Sequence, residues 1–131
     1  MNRVFADTFY WIALIHRKDS SNKAVLEFSR TVACTFLTTD EVLTFCSSDE
    51  GLRKDATRAV RRILTAANVR VIPQSRQGFL DGFDLYEARS DKGYSLTDCI
   101  SMRAMHREGL TDVLTNDRHF EQEGFRALFQ S

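Results

Sequence analysis

Short β-branched and apolar runs alternate with helical segments along almost the whole chain, and this alternation limits the fold more than any single residue does. Strand–helix–strand order is the pattern of a parallel α/β sheet, because parallel neighbours need a crossover that a helix supplies. "RVFA" (Arg3 to Ala6) reads as a short buried strand, followed by a helix from Phe9 to about His16. "DSSNKAVLEFSRTVA" reads as a helix capped by Ser20 or Ser21, with Ala24, Leu26, Phe28 and Val32 as its apolar surface. "TFLTT" (Thr35 to Thr39) is a β-branched second strand, "DEVLTFC" a short helical piece and "SSDEG" (Ser47 to Gly51) a break. From Leu52 to Ala67 apolar residues recur at helical spacing, opposite Arg53, Lys54, Arg58, Arg61 and Arg62. "VRVIP" is a third strand, and Phe79, Leu80, Phe83 and Tyr86 mark a helix that ends near "SDKG". A helix from Ser95 to Glu108 stops at Gly109, and "DVLT" and "FRALF" supply the last strands.

At 131 residues the chain is expected to form one domain, residues 1–131, around one core. Lys plus Arg and Asp plus Glu both number 18, so the net charge is zero and any basic surface must be local. Cys34, Cys46 and Cys99 are odd in number and lack close metal-site spacing, which points to a reducing, cytoplasmic setting. No apolar run approaches the ~20 residues that span a bilayer, and "MNRVFAD" lacks a signal-peptide layout, so no membrane association is expected. The chain has no Gly-rich phosphate loop, and no paired nucleophile and base for acyl transfer. What it offers is acids.

In an open parallel sheet, groups that act on a ligand sit at the carboxyl ends of the strands. Asp7 directly follows the first strand and Asp117 follows the fourth, in "VLTNDRHF". Asp98, in "YSLTDCISM", lies in the first turn of its helix and shares a stripe with Met102 and Met105. If the first and fourth strands are neighbours, Asp7, Asp98 and Asp117 converge. Converging carboxylates repel unless some are protonated or a cation joins them. Mg²⁺ suits a site of a few carboxylates, retained waters and phosphate oxygens, and can activate water and stabilise charge during in-line attack. Structural uses of the same acids stand beside this one. Asp7 is placed to cap the following helix, Asp98 completes a capping box with Ser95, and Asp117 is a common turn residue.

"VFADTFYWIAL", "FLTTDEVL", "YSLTDCISM" and "VLTNDRHFEQEGF" together resemble the motif regions of PIN domains, in their VapC-like branch, in order and over nearly the whole chain. The resemblance implies an α/β sheet of about five parallel strands in the order 3-2-1-4-5, flanked by helices, which puts strands one and four side by side. It also implies a Mg²⁺- or Mn²⁺-dependent endoribonuclease acting on RNA, often the toxin of a toxin–antitoxin pair and often a homodimer. Asp7, Asp98 and Asp117 match the family's first, third and fourth acidic positions, and Thr115 its small hydroxyl residue two before the last acid.

One departure stands out. The family usually carries a glutamate shortly after the second strand, where "TTDEVLTFC" places Phe45. Either the acid is substituted or a helical turn that bears it is missing. Glu41, four residues earlier, and Glu50 are candidate replacements; Glu41 otherwise forms a capping box with Thr38. A PIN-like binding module with weakened or lost catalysis is the alternative function that this departure raises. A phosphoryl-accepting signalling module would also use an acidic crevice, but Lys92 is not obviously placed as its switch. The Arg53–Arg62 stripe reads as a solvated helix face or an RNA grip, whereas Arg103, His106, Arg107, Arg118 and His119 lie nearer the acids. His106 and His119 lack partners at zinc-site spacing and default to the surface. Tyr10, Trp11, Phe79, Phe83 and Tyr86 read as core or dimer-interface groups, with base stacking as the other use.

Overall fold

β1 (Arg3–Ala6) occupies the middle of a parallel five-stranded sheet because it has almost nothing polar to present: Val4, Phe5 and Ala6 are all fully buried. The computed structural model describes residues 2–45 and 50–129. β2 (Thr35–Thr39) and then β3 (Val69–Ile72) lie to one side of β1, and β4 (Asp112–Leu114) and β5 (Arg126–Ala127) to the other. The order is 3-2-1-4-5, as the resemblance implied. Phe5 is in register with Leu37 on one flank and Val113 on the other.

α1 (Thr8–Ile15) presses Tyr10, Trp11 and Ala13 into the core. The Tyr10 ring stacks on Phe36 of β2 at 5.7 Å and meets Trp11 edge-on at 5.1 Å. Trp11 Nε1 donates to Thr38 Oγ1 at 3.2 Å, and that hydroxyl donates to the Ala6 carbonyl at 2.9 Å. A polar residue is thus buried on β2 with its hydrogen bonds made.

α2 (Asn22–Thr31) differs from the sequence reading. Ser21 stands at its N-cap position but its side chain makes no cap; Asp19 Oδ1 takes the Ser21 N–H at 2.8 Å, and Asn22 Nδ2 donates to the Ala13 carbonyl at 2.7 Å. The buried residue is Val25, with Phe28 packed against the core and Ala24 exposed. Phe28 packs edge-on against Tyr10 of α1 and Phe36 of β2, and Val25, three residues earlier, shares that face, so Val25 rather than Ala24 is the buried residue of the first turns.

A 3-10 turn (Val42–Phe45) follows β2, and α3 (Glu50–Thr65) follows the undescribed residues. The expected break at Ser47 to Gly51 falls largely on residues 46–49, which lie outside the described residues along with Cys46. Glu50 and Gly51 are helical, and an acid in the first turn of α3 complements the helix dipole. No helix among the described residues is long and apolar enough to cross a membrane.

α4 (Arg76–Ala88) and α5 (Leu96–Glu108) pack closely at Gly82, where a Cβ would lie 2.9 Å from both the Ile100 N and Cα. α5 ends at Gly109, whose φ of 68° is the left-handed C-cap conformation that glycine adopts without steric cost. α6 (Arg118–Gln122) is a short helix in a stretch to which the sequence reading assigned no element. Gly82→Ala is expected to lower stability by about 1–3 kcal/mol through overpacking. A urea midpoint that falls with unchanged slope would report this, and an unmoved midpoint would mean that the two helices separate freely.

Candidate metal centre

β1 and β4 are paired with Ala6 opposite Leu114, so the residues just past each strand end must also be neighbours. Asp7 N–H continues the ladder to the Leu114 carbonyl at 3.4 Å. Thr115 Oγ1 then donates to Asp7 Oδ2 at 2.9 Å, and the same oxygen accepts the Asp117 N–H at 3.2 Å. One fully buried hydroxyl therefore joins the carboxylate leaving β1 to the backbone that bears Asp117. Asp7 is at the N-cap position of α1 but makes no side-chain cap there.

The other two acids are oriented by helix starts. Asp98 Oδ2 accepts the Ser95 N–H at 3.1 Å while Ser95 Oγ accepts the Asp98 N–H at 3.0 Å, a complete capping box at the head of α5. Met102 and Met105, on the same stripe, are fully buried, so the helix turns Asp98 toward the sheet. Asp117 caps α6, with Oδ1 accepting the His119 N–H at 2.9 Å. A carboxylate has about four lone-pair directions, so these caps leave room for further ligands.

His119 joins the acids, although its spacing had assigned it to the surface. Its Nδ1 lies 3.2 Å from Asp117 Oδ1 and 3.7 Å from Asp98 Oδ2. The atom is shielded from solvent yet makes no hydrogen bond in this geometry. Among the described residues, Asp98, Asp117 and His119 form a group whose donor atoms all fall within 4.8 Å of one another. Asp7 stands outside that tight group, joined to it through Thr115. A usable signal was the Asp-x-His spacing across a strand-to-helix junction, because a cap residue and the residue two after it share one tight turn.

The electrostatics couple all three aspartates. Burial pushes the Asp7 carboxyl up to about 6; the Thr8 N–H and the Thr115 hydroxyl oppose this, and the charges of Asp98 and Asp117 add to it. Asp98 is also raised, chiefly by burial and further by Asp117, against the Ser95 cap and His119. Carboxyls held above their ordinary range, beside a shielded ring nitrogen with no partner, form a donor set that fits a divalent cation.

Other candidate residues lie elsewhere. Phe45, which the resemblance aligns with the family's glutamate, is packed against the core. Glu41 forms no capping box with Thr38, which serves Trp11 and Ala6; Thr39 Oγ1 instead accepts the Val42 N–H at 3.1 Å. Neither Glu41 nor exposed Glu50 belongs to the group around Asp98. Arg107 pairs with Asp81 of α4 at 3.2 Å, and His106 lies on Phe125 at 5.0 Å. They stand about 12–14 Å along α5 from Asp98 at 1.5 Å per residue. α3 packs against β3 and α1 with its basic residues exposed, and a groove lined by Arg17, Lys18, Arg58 and Arg62 contains none of the three aspartates. Tyr10 and Trp11 are core, whereas Phe79, Leu80, Phe83 and Tyr86 leave an exposed apolar stripe on α4.

The profile of the PIN domain family matches residues 4–125. The Mycobacterium tuberculosis toxin VapC20, described as cleaving the sarcin–ricin loop, superposes with a TM-score of 0.83 at 21% identity, covering 93% of this chain and 95% of that one. Rickettsia felis VapBC2, solved with a DNA fragment from its promoter, superposes with a TM-score of 0.65 at 15% identity, covering 95% and 96%. No curated protein matches by sequence.

Asp7 carries a stability consequence with a definite sign. Between its ordinary value of 3.8 and about 6 the folded chain binds more protons than the unfolded one, so stability falls as pH rises through that window. The penalty at neutral pH is about 3 kcal/mol. In metal-free buffer, Asp7→Asn should flatten the decline in urea-unfolding free energy between acid and neutral pH. An identical decline in the variant would place its origin in other groups.

Proposed function

The chain belongs to the PIN domain family, and from that premise we propose that it is a metal-dependent endoribonuclease of the VapC toxin type, hydrolysing RNA phosphodiesters. The observation that carries this reading is the meeting of Asp98, Asp117 and His119 in one small group, with Asp7 coupled to it through Thr115, at the carboxyl ends of β1 and β4. The sheet reverses its order of growth between these strands, and parallel α/β sheets bind ligands at such points. The likeness to VapC20, itself described as a toxin that cuts an RNA loop, supports the same class of substrate.

Asp98 and Asp117 would hold Mg²⁺ or Mn²⁺ directly, with Asp7 reaching it directly or through water. When bound, such a cation supplies a Lewis acid for the phosphate oxygens and lowers the pKa of water at the site. The chain's own part is orientation. Thr115 fixes the Asp7 carboxylate, the Ser95 N–H fixes Asp98, and the His119 N–H fixes Asp117. In this reading water attacks phosphorus as the scissile P–O bond breaks, so the RNA strand is cut in one displacement with no covalent intermediate on the protein. The cell compartment is the cytoplasm, where RNA is plentiful. An antitoxin protein is the expected partner, by analogy with VapBC2, and the exposed stripe of α4 suits a second copy of the chain.

Pooled RNA should be cut by the protein with Mn²⁺ or Mg²⁺ and spared in the presence of EDTA. Asp98→Asn and Asp117→Asn should each abolish cutting while keeping the folded spectrum. Thr115→Val, which removes only an orienting hydroxyl, should cost on the order of 10–100-fold in rate. Wild-type protein inert with both ions would overturn the nuclease reading and leave the binding-module alternative raised by Phe45.

A further inference from the structure

We propose that His119 is a direct nitrogen ligand of the cation, so that this site is a mixed carboxylate–imidazole centre. The inference rests on the metal-dependent reading above and goes beyond it, since that reading assigns ligands only among the aspartates. Three observations carry it.

The first is distance. Ligand atoms about 2.0–2.2 Å from a six-coordinate ion stand roughly 3 Å apart when adjacent and a little over 4 Å apart when opposite. The Nδ1 separations of 3.2 Å from Asp117 Oδ1 and 3.7 Å from Asp98 Oδ2 fall inside that window.

The second is the state of Nδ1. It is closed off from solvent, and although two carboxylate oxygens are near it, neither is aligned to share a proton with it. A shielded ring nitrogen without a hydrogen bond is costly, and a cation between it and the two oxygens would supply a direct ligand contact.

The third is preorganisation. The His119 N–H is already bound to Asp117, which fixes the backbone. The ring lies 5.4 Å from that of Tyr94. Tyr94 is in turn held by its hydroxyl, which donates to Glu123 Oε1 at 3.1 Å, and Glu123 accepts two hydrogen bonds from Arg89 at 2.9 and 3.0 Å. The imidazole is therefore aimed by packing and a three-residue polar network before any ion arrives.

A consequence follows for metal choice. Phe45 leaves the site without the glutamate that the family resemblance implies, and a neutral imidazole takes up coordination without adding negative charge. Imidazole favours transition metals over Mg²⁺, which prefers oxygen ligands and gives up its waters reluctantly. Mn²⁺ should therefore bind more tightly than Mg²⁺, and that preference should depend on His119.

The test uses Mn²⁺ alone with the full chain. Pulsed electron paramagnetic resonance should detect hyperfine coupling from a histidine nitrogen in wild-type protein, and isotopic labelling of histidine should alter it. The coupling should vanish in His119→Gln and persist in His16→Gln and His106→Gln. Calorimetry should show Mn²⁺ affinity reduced by about tenfold or more in His119→Gln, with Mg²⁺ affinity changed less. Mn²⁺ that binds in an Asp117-dependent way but shows no nitrogen coupling would overturn the ligand inference and leave the metal reading intact. Failure of wild-type protein to bind Mn²⁺ at all would overturn both. The wild-type spectrum decides between these outcomes even if a variant does not fold.

Discussion

The parallel pairing of β1 with β4 is the constraint on which the rest of the molecule depends. Ala6 opposite Leu114 makes Asp7 and Thr115 the next residues on adjacent strands, and no other pairing of these strands would put them there. Thr115 then hydrogen-bonds the Asp7 carboxylate and receives the Asp117 N–H. The strands themselves are buried and apolar, so their register is set by core packing. The polar atoms at their ends inherit that precision without having to supply it.

Capping and metal binding are commonly weighed as rival explanations for an acid at a helix start. Here the two uses coincide for Asp98 and Asp117. The Ser95 capping box restrains Asp98, and the α6 cap restrains Asp117; each consumes one backbone donor and leaves other oxygen lone pairs free. A carboxylate fixed by a cap loses less rotamer freedom when it takes a ligand, which favours binding. Asp7 is different. It carries no cap, lies deepest, and has its carboxyl raised furthest from the ordinary range, to about 6. Its burial is a cost to the fold that a nearby positive charge would relieve.

Sequence periodicity was a reliable guide where one face of an element is buried along its length. α5 has such a face, and both it and α3 formed close to the expected spans, although in α3 only Ala56 and Ile63 are buried and Leu52 and Leu64 stay exposed. It was a poor guide where side chains compete for the same backbone group. Ser21 yields to Asp19 at the start of α2, and Thr39 rather than Thr38 serves the turn after β2. In both places the outcome depends on which hydroxyl the fold has already committed elsewhere; Thr38 is held by Trp11 and Ala6. α6 escaped notice because five residues are too few for a hydrophobic period to register.

Strand-and-helix alternation and the acids at the strand ends were decided by the amino-acid sequence alone, because both follow from local patterning and chain order. The departure at Phe45 from the family pattern is likewise legible in the sequence. The company those acids keep was decided only in three dimensions. His119 looks like any surface histidine until α6 forms and Tyr94 comes down from the loop before α5 to pack beside it. The coupling of Asp7 to two residues more than ninety positions away likewise needs the sheet to close β1 against β4. Contacts of that separation leave no periodic trace in a chain, because what aligns them is the packing of a core to which none of the three aspartates belongs.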